Sequence, residues 1–312
     1  MHSRSWYIGI VILSAFVVAV ESIGVEGALN IANIDIFMTC AIPSIVGGFI
    51  LVALDRKNTQ QLIKELSRRE WLFLTILTIA ASLGVFGWFD AVGRIGAGKE
   101  AILGGGSSEV LFVVLLSAAF LSERLNRWEI LGSFLILCGV FLVLFRSDTL
   151  SITLGLGETE AIASSFLLAS SAVMITKLLK SHNVLPLSAI ELIYSGIMLL
   201  ILGLLISSDL SVDFNGWLIL IGLGVFPAMG VYTYYQGLKG VGASITSVLF
   251  ALNGIMTAAT AAIILAIYPT ASVILPENLG LAIVGALIAF VGVYLLNKKR
   301  STSVTASGGH KI

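Results

Sequence analysis

The sequence predicts an all-α integral membrane protein with ten transmembrane helices, arranged as two five-helix repeats of inverted topology. Three observations support this fold class: the hydropathy of the chain, the placement of its basic residues and an internal repeat. The 312 residues have a mean hydropathy of +1.02, and 12% of them are charged, about half the roughly 25% of soluble domains. The net charge is +0, and no basic stripe of the kind that binds nucleic acid is present.

Ten apolar segments are long enough for a helix to cross a bilayer, which takes about 20 residues. They cover residues 6–29, 37–54, 71–89, 97–121, 128–145, 160–179, 187–206, 217–235, 242–268 and 279–297. The first segment is too long for the apolar part of a signal peptide, so it is expected to be the first span. A charged segment over 55–70 separates the second and third spans.

The basic residues orient these spans, because cytoplasmic loops of membrane proteins are enriched in Lys and Arg. With the N-terminus in the cytoplasm, all of the 18 basic residues except Arg94, Lys99 and Arg146 fall on the cytoplasmic side. A missed or an added span would destroy this bias. We therefore expect a plasma-membrane (or bacterial inner-membrane) protein with both termini in the cytoplasm.

The chain also repeats itself. The stretch WFDAVGRIGAGKEAIL from Trp88 resembles YYQGLKGVGASITSVL from Tyr234, and ILGSFLILCGVFLVL from Ile130 resembles IVGALIAFVGVYLL from Ile283. Two matches in the same order favour a duplication, with repeats over 1–149 and 150–297 and a disordered cytoplasmic tail over 298–312. Because five spans are an odd number, the two repeats must cross the membrane in opposite senses.

The fourth span contains the clearest candidate for a binding site. Three glycines from Gly104, then Ser107 and Ser108, precede Glu109 near the middle of the span. An ionisable residue at that depth costs about 2.5–3.5 kcal/mol on insertion scales and is accepted where it faces protein or a wet cavity. We expect Glu109, Ser107 and Ser108 to line a substrate-binding cavity, with Asn253 at the matching depth of the ninth span.

Residues of the fourth and fifth spans resemble a known family. The stretch LSERLNRWEILGSFLILCGVFLVL, together with the mid-span glutamate, resembles the EamA-type repeat of the drug/metabolite transporter superfamily. The residues that carry this resemblance are Glu109, Leu121, Glu123, Arg124, Leu125, Gly132 and Gly139. The second half keeps Gly285 and Gly292 but lacks the Glu-Arg pair, and Val110 stands where the family usually has a proline.

The resemblance implies ten helices around a central cavity that opens alternately to either side of the membrane. Members of the superfamily export or import amino acids, amines, drugs and other small metabolites. The expected function is therefore secondary-active transport, with export of an amino acid or an amine as the first choice. A channel, or a scaffold that binds partners through its 55–70 segment, is the alternative. An enzyme is not expected, since no nucleophile–base pair or metal cluster is evident.

Further polar and aromatic residues are candidates for the same cavity. Glu21 in the first span is a candidate substrate ligand, and Trp88 and Tyr232 could stack on a substrate, although interface aromatics are also common. Carboxylates without buried basic partners favour a cationic or zwitterionic solute, or protons. Proton coupling through Glu109 is possible, and no other cofactor or metal is expected. The sequence leaves the oligomeric state open between a monomer and a homodimer.

Four charged residues crowd the junction of the third and fourth spans: Asp90, Arg94, Lys99 and Glu100. Asp90 and Arg94 could pair at i,i+4 if that turn is helical. The four residues are either solvated loop charges or a gate that closes by salt bridges.

Five other residues are expected to have structural roles. Glu26 lies about 140° around the helix from Glu21 and is expected to reach outward. Glu191 is expected at the membrane interface, and His182 has no evident partner. Cys40 and Cys138 are expected to be small buried side chains.

Overall fold

The computed structural model describes residues 3–120, 127–146, 151–152, 154–207, 209–267 and 278–297. The tail over 298–312 and the family residues Leu121, Glu123, Arg124 and Leu125 lie outside the described residues. The helices are α1 Arg4–Asn30, α2 Ile36–Leu54, α3 Arg56–Glu65, α4 Arg68–Ile95, α5 Ala97–Leu103, α6 Glu109–Phe120, α7 Arg127–Leu144, α8 Leu156–Leu178, α9 Val184–Ile206, α10 Phe214–Leu223, α11 Val225–Val241, α12 Ala243–Phe250, α13 Leu252–Ile267 and α14 Leu279–Asn297. A π-helix, Gly104–Ser108, joins α5 to α6, and Phe145–Arg146 (β1) pairs antiparallel with Ser151–Ile152 (β2).

Eight helical stretches within the described ranges are long and apolar enough to cross a membrane. Three of them combine neighbouring elements: α5 with the π-helix and α6, α10 with α11, and α12 with α13. The helices α7 and α14 contain the shorter apolar stretches Ile130–Gly139 and Gly280–Gly292. The predicted helical, multi-pass class is confirmed, and the count of ten spans stays a prediction.

The start and end of the third span differ from the prediction. The helix α4 continues past Phe89 to Ile95, so Asp90 and Arg94 are helical. Its start is fixed by Ser67 and Glu70, whose side chains each bond the other residue's backbone N–H in a capping box. The preceding charged segment contains the amphipathic helix α3, which buries Leu62.

Two glycines form equivalent joints in the two halves of the chain. Gly96 links α4 to α5 with φ 82°, and Gly242 links α11 to α12 with φ 88°. With their extended ψ angles, these residues lie in a region that essentially only glycine adopts. They are also equivalent positions of the sequence repeat.

The helices α2 and α9 pack closely through reciprocal glycines. A β-carbon added at Gly48 would lie 3.0 Å from the carbonyl oxygen of Ala189, and one added at Gly196 would lie 2.7 Å from that of Ala41. Small residues allow such close approach of two helices in a membrane. Because the earlier residue of α2 meets the later residue of α9, the two helices are antiparallel.

The helices α7 and α14 show the same reciprocity. A β-carbon at Gly139 would lie 2.5 Å from the carbonyl oxygen of Gly285, and one at Gly292 would lie 2.6 Å from that of Gly132. These are the four glycines of the second sequence match. Their spacing of seven residues puts both members of each pair on one helix face, which explains why both halves have them.

Two further antiparallel pairs connect the halves. The helix α4 packs on α8, with Gly84 against Leu168, and α1 packs on α11, with Gly230 against Val18. The elements α1, α2, α4, α5, α8, α9, α11, α12 and α13 together with the π-helix and Glu109 at the start of α6 enclose a central cavity.

Candidate functional site

The central cavity has about 1080 Å³ of empty space, including the part that opens to the exterior. Four carboxylates line it: Glu21, Glu100, Glu109 and Glu191. Their exposed fractions are 5%, 2%, 6% and 4%, so each is more than nine-tenths buried. None of the described lining residues is Lys, Arg or His. Among the described lining residues, the four carboxylates therefore have no basic side chain to pair with.

Glu109 lies where the π-helix ends. Its backbone N–H bonds to the carbonyl of Gly104, the wide turn that defines a π-helix. Its Oε1 accepts a hydrogen bond of 3.3 Å from the hydroxyl of Tyr234 on α11. The carboxylate thus lies in the cavity, as predicted, and is held by the second half of the chain.

The hydroxyl groups of Ser107 and Ser108 satisfy the backbone of the same segment. Ser108 donates to the carbonyl of Leu103 at 2.7 Å, and Ser107 donates to that of Ile102. Neither serine is among the cavity-lining residues, and Ser107 instead borders a small cleft next to α14. The geometry indicates that these serines stabilise the π-helix. Their predicted contact with substrate stays a prediction.

Asn253 lines the cavity where α13 begins. Its Oδ1 accepts a hydrogen bond of 2.9 Å from Thr257, and a β-carbon at Gly105 would lie 3.3 Å from its Nδ2. A β-carbon at the adjacent Gly254 would lie 2.7 Å from the carbonyl oxygen of Ala101. The two spans that carry Glu109 and Asn253 are therefore in close backbone contact.

Glu100 does not lie with the charged cluster predicted for the junction of the third and fourth spans. It is buried in the cavity, where its Oε2 accepts a 2.8 Å hydrogen bond from the indole N–H of Trp88. Trp88 lines the cavity as predicted. Tyr232 is not among the lining residues, and its hydroxyl accepts a hydrogen bond from Gln236; the next two tyrosines, Tyr234 and Tyr235, line the cavity instead.

The other three charged residues of that cluster form ion pairs. Arg94 contacts Asp90 at 3.0 Å, which confirms the predicted i,i+4 pair, and Glu160 at 3.1 Å. Lys99 contacts Glu158 at 2.6 Å. These contacts tie α4 and α5 to the start of α8, so they connect the two halves. The sequence analysis missed these partners, although Glu158 and Glu160 near the start of the predicted sixth span could have indicated them.

Three structural expectations for charged residues are wrong. Glu26 is buried and accepts a hydrogen bond from the backbone N–H of Ala97 at 3.1 Å instead of reaching outward. Glu191 is buried in the cavity instead of lying at the interface. The Nε2 atom of His182 lies 2.9 Å from Glu70, so this histidine has a partner.

Two of the four cavity carboxylates accept no hydrogen bond from the residues that the structure describes. Within the described part of the chain, no residue donates a hydrogen bond to Glu21 or Glu191, whereas Trp88 and Tyr234 donate to the other two. Cys40 is buried as expected and lines the cavity, whereas Cys138 is only partly buried, so the expectation for Cys138 is not met.

The fold and the cavity together define a multi-pass helical membrane protein with an acidic internal chamber. The model of the EamA-like transporter family matches residues 5–145 and 155–298. The chain therefore belongs to the EamA-like transporter family, within the drug/metabolite transporter superfamily, and the predicted family is confirmed.

The solved structures that match the chain support the same fold. Among 27 matching chains, one titled "Crystal structure of protein" has a TM-score of 0.69 and 15% sequence identity, and the match covers 96% of this chain and 99% of that chain. At this identity the likeness shows the fold alone. No curated protein matches the chain.

Proposed function

We propose that the protein is a secondary-active transporter of small organic metabolites, amines or amino acids, and that it works by alternating access. The observation that carries this proposal is the central cavity, which four buried carboxylates line without a basic residue among the described lining residues. A chamber of this kind favours a cation and disfavours phosphorylated solutes, which need Lys or Arg.

The proposed architecture is ten spans in two inverted repeats. In this arrangement α7 and α14 are the fifth and tenth spans, and α2 and α9 are equivalent second spans. Equivalent helices that are antiparallel require repeats of opposite sense, and the reciprocal glycine contacts of both pairs support that relation. We propose that both termini are cytoplasmic.

The ion pairs of Arg94 and Lys99 form the proposed gate. They join helices of the two repeats at one end of the cavity, so rocking the repeats apart at that end must break them. With the N-terminus in the cytoplasm, this end faces outward, and export requires its opening.

Glu109 is the proposed point of coupling. It lies in the cavity, and its bond to Tyr234 connects the two repeats. A carboxyl group that binds either a proton or the substrate cation would exchange one for the other. Glu21, Asn253 and Trp88 are the other proposed substrate ligands.

Counterflow in proteoliposomes preloaded with pooled amines and amino acids tests this function. We expect saturable exchange, which Glu109→Gln reduces at least tenfold at fixed pH. The matched control is Glu65→Gln on the exposed helix α3, which should keep wild-type exchange. Unsaturable flux would indicate a channel, and the absence of exchange in a folded protein would contradict transport of these solutes.

A further inference from the structure

The antiparallel pair of α4 and α8 connects the two halves of the chain at both of its ends. At one end, Arg94 of α4 contacts Glu160 of α8 at 3.1 Å. At the other end, Glu70 in the first turn of α4 lies 2.9 Å from the Nε2 atom of His182, just past the end of α8. Because Glu70 and Arg94 are about 36 Å apart along a helix, the two contacts lie at opposite ends of a membrane span.

The carboxylate of Glu70 is fixed within its own half of the chain. The backbone N–H and the hydroxyl group of Ser67 donate to its Oε2 atom at 2.9 and 2.7 Å. Its Oε1 atom is the one that faces the imidazole of His182. Glu70 therefore presents a positioned acceptor to the second half.

The backbone of His182 is fixed by two elements of the second half. Its N–H donates to the carbonyl of Leu178 at 3.0 Å, and Nζ of Lys239, near the end of α11, donates to its carbonyl at 2.8 Å. The side chain of His182 is only 12% exposed. Since the imidazole bonds across to the first half, separating the halves at this end must break its contact with Glu70.

The contact at this end depends on pH in a way that the contacts of Arg94 and Lys99 do not. Arg and Lys keep their positive charge through the physiological pH range, whereas an imidazole gains its charge between about pH 8 and pH 5. A hydrogen bond between a charged imidazole and a carboxylate is roughly twice as strong as one between neutral groups.

Glu70 is the charged group that faces the imidazole from α4, and Lys239 of α11 meets the backbone of His182 instead. The other charged side chains near these ends of α3, α4 and α8 are exposed to solvent: Lys64, Glu65, Arg68, Arg69, Lys177 and Lys180. Exposed charges are screened by salt and water, so protonation of His182 acts mainly on its contact with Glu70.

We propose that His182 and Glu70 form a proton-dependent latch between the two halves. This inference rests on the proposed transport function and specifies its regulation. With the N-terminus in the cytoplasm, as proposed, the latch lies at the cytoplasmic end of the cavity. A proton on His182 strengthens the closed cytoplasmic end and leaves the ion pairs at the outer end unchanged, so acidification of the cytoplasm shifts the protein toward the state that is open to the outside.

Alkylation of Cys40 from the cytoplasmic face tests the latch. In a Cys138→Ala parent, Cys40 is the single thiol, and it lines the cavity. A membrane-impermeant maleimide reports how often the cavity opens to that face. Each variant is compared with the parent at the same pH, so the intrinsic pH dependence of the thiol cancels in the ratio of their rates.

His182→Gln keeps a hydrogen-bonding side chain but cannot gain a charge. Its alkylation rate from the cytoplasmic face should be close to that of the parent at about pH 8 and at least about threefold higher at about pH 6. From the outer face, its rate at the lower pH should fall below that of the parent. His182→Arg, with a permanent charge, should react slowly from the cytoplasmic face at both pH values.

Glu70→Gln tests the same contact from its other side, since glutamine also serves in a capping box. It should reproduce the pH-dependent ratio of His182→Gln. The matched control is Glu65→Gln on the exposed face of α3, whose rate should equal that of the parent at both pH values. All variants are assayed as monodisperse protein in size-exclusion chromatography.

The outcomes separate the latch from the transport function. Ratios for His182→Gln and Glu70→Gln that do not change with pH would overturn the latch and leave alternating access standing. The same pH-dependent ratio in Glu65→Gln would also overturn it. If Cys40 of the parent reacts from neither face, both the latch and alternating access through this cavity are contradicted.

Discussion

The hydroxyl group of Tyr234 donates a hydrogen bond to Oε1 of Glu109 at 3.3 Å. This bond joins α11, in the second half of the chain, to the carboxylate that ends the π-helix in the first half. A motion of one half relative to the other must change this contact. The pair therefore connects the chemistry of the cavity to the proposed rocking movement.

Removal of this donor should slow exchange. A hydrogen bond of this kind contributes about 1 kcal/mol, so Tyr234→Phe is expected to reduce the counterflow rate several-fold, less than Glu109→Gln does. The control is Tyr194→Phe, because the hydroxyl of Tyr194 contacts Thr75 and is not part of the described cavity lining. Equal rates for Tyr234→Phe and wild type would contradict a role for the bond.

Transport should tolerate a swap of the two charges in the ion pair of Lys99 and Glu158. The pair is only partly exposed. Lys99→Glu or Glu158→Lys alone places like charges in contact, so each single variant should reduce the counterflow rate about fivefold or more. The double variant restores an attractive pair and should recover part of the activity. A double variant that is as impaired as the singles would contradict the proposed gate.

The packing of α2 on α9 makes a stability prediction. Gly196→Ala introduces a β-carbon 2.7 Å from the carbonyl oxygen of Ala41, and overpacking of this kind costs about 1–3 kcal/mol. The melting temperature of the purified protein should fall by several degrees. Gly9→Ala is the control, since nothing lies within 4 Å of its added β-carbon, and it should keep the wild-type melting temperature or raise it slightly.

The two glycine joints should be equally sensitive to substitution. Gly96 and Gly242 have φ angles of 82° and 88°, where a side chain costs about 1–3 kcal/mol. Gly96→Ala and Gly242→Ala should each lower the melting temperature, whereas Gly27→Ala in open space on α1 should not. A loss at only one joint would contradict their equivalence.

Much of the fold was predictable because its determinants are local in sequence. Long apolar stretches specify helices, and the repeated glycines specify both the joints and the close packing of α7 on α14. The predicted third span ended at Phe89 because the prediction followed hydropathy, whereas α4 continues to Ile95. Asp90 and Arg94 lie in this extension and pair with each other across one turn, which supports the helix there.

The site was predictable only in part, because burial depends on which helices meet. Glu109, Asn253 and Glu21 line the cavity, as expected of polar residues within apolar spans, and so does Trp88, which its sequence position left open between the cavity and the membrane interface. Glu191 was assigned to the interface because it lies near one end of its span, but neighbouring helices enclose it.

Long-range partners were also beyond the sequence. His182 and Glu70 are 112 residues apart, and no pattern within either loop or helix indicates the other. The contacts of Glu100 with Trp88 and of Glu26 with Ala97 likewise depend on how α1, α4 and α5 pack.

The most direct test of alternating access uses the cysteine in the cavity. Cys40 and Cys138 are the chain's two cysteines, so a Cys138→Ala protein carries a single thiol, which lines the chamber. Its alkylation by a membrane-impermeant maleimide would be measured from each face of oriented proteoliposomes, with and without a transported pool solute. We predict that Cys40 reacts from both faces and that the solute changes the two rates in opposite directions. Reaction from one face only, with rates that no transported solute changes, would contradict alternating access through this cavity.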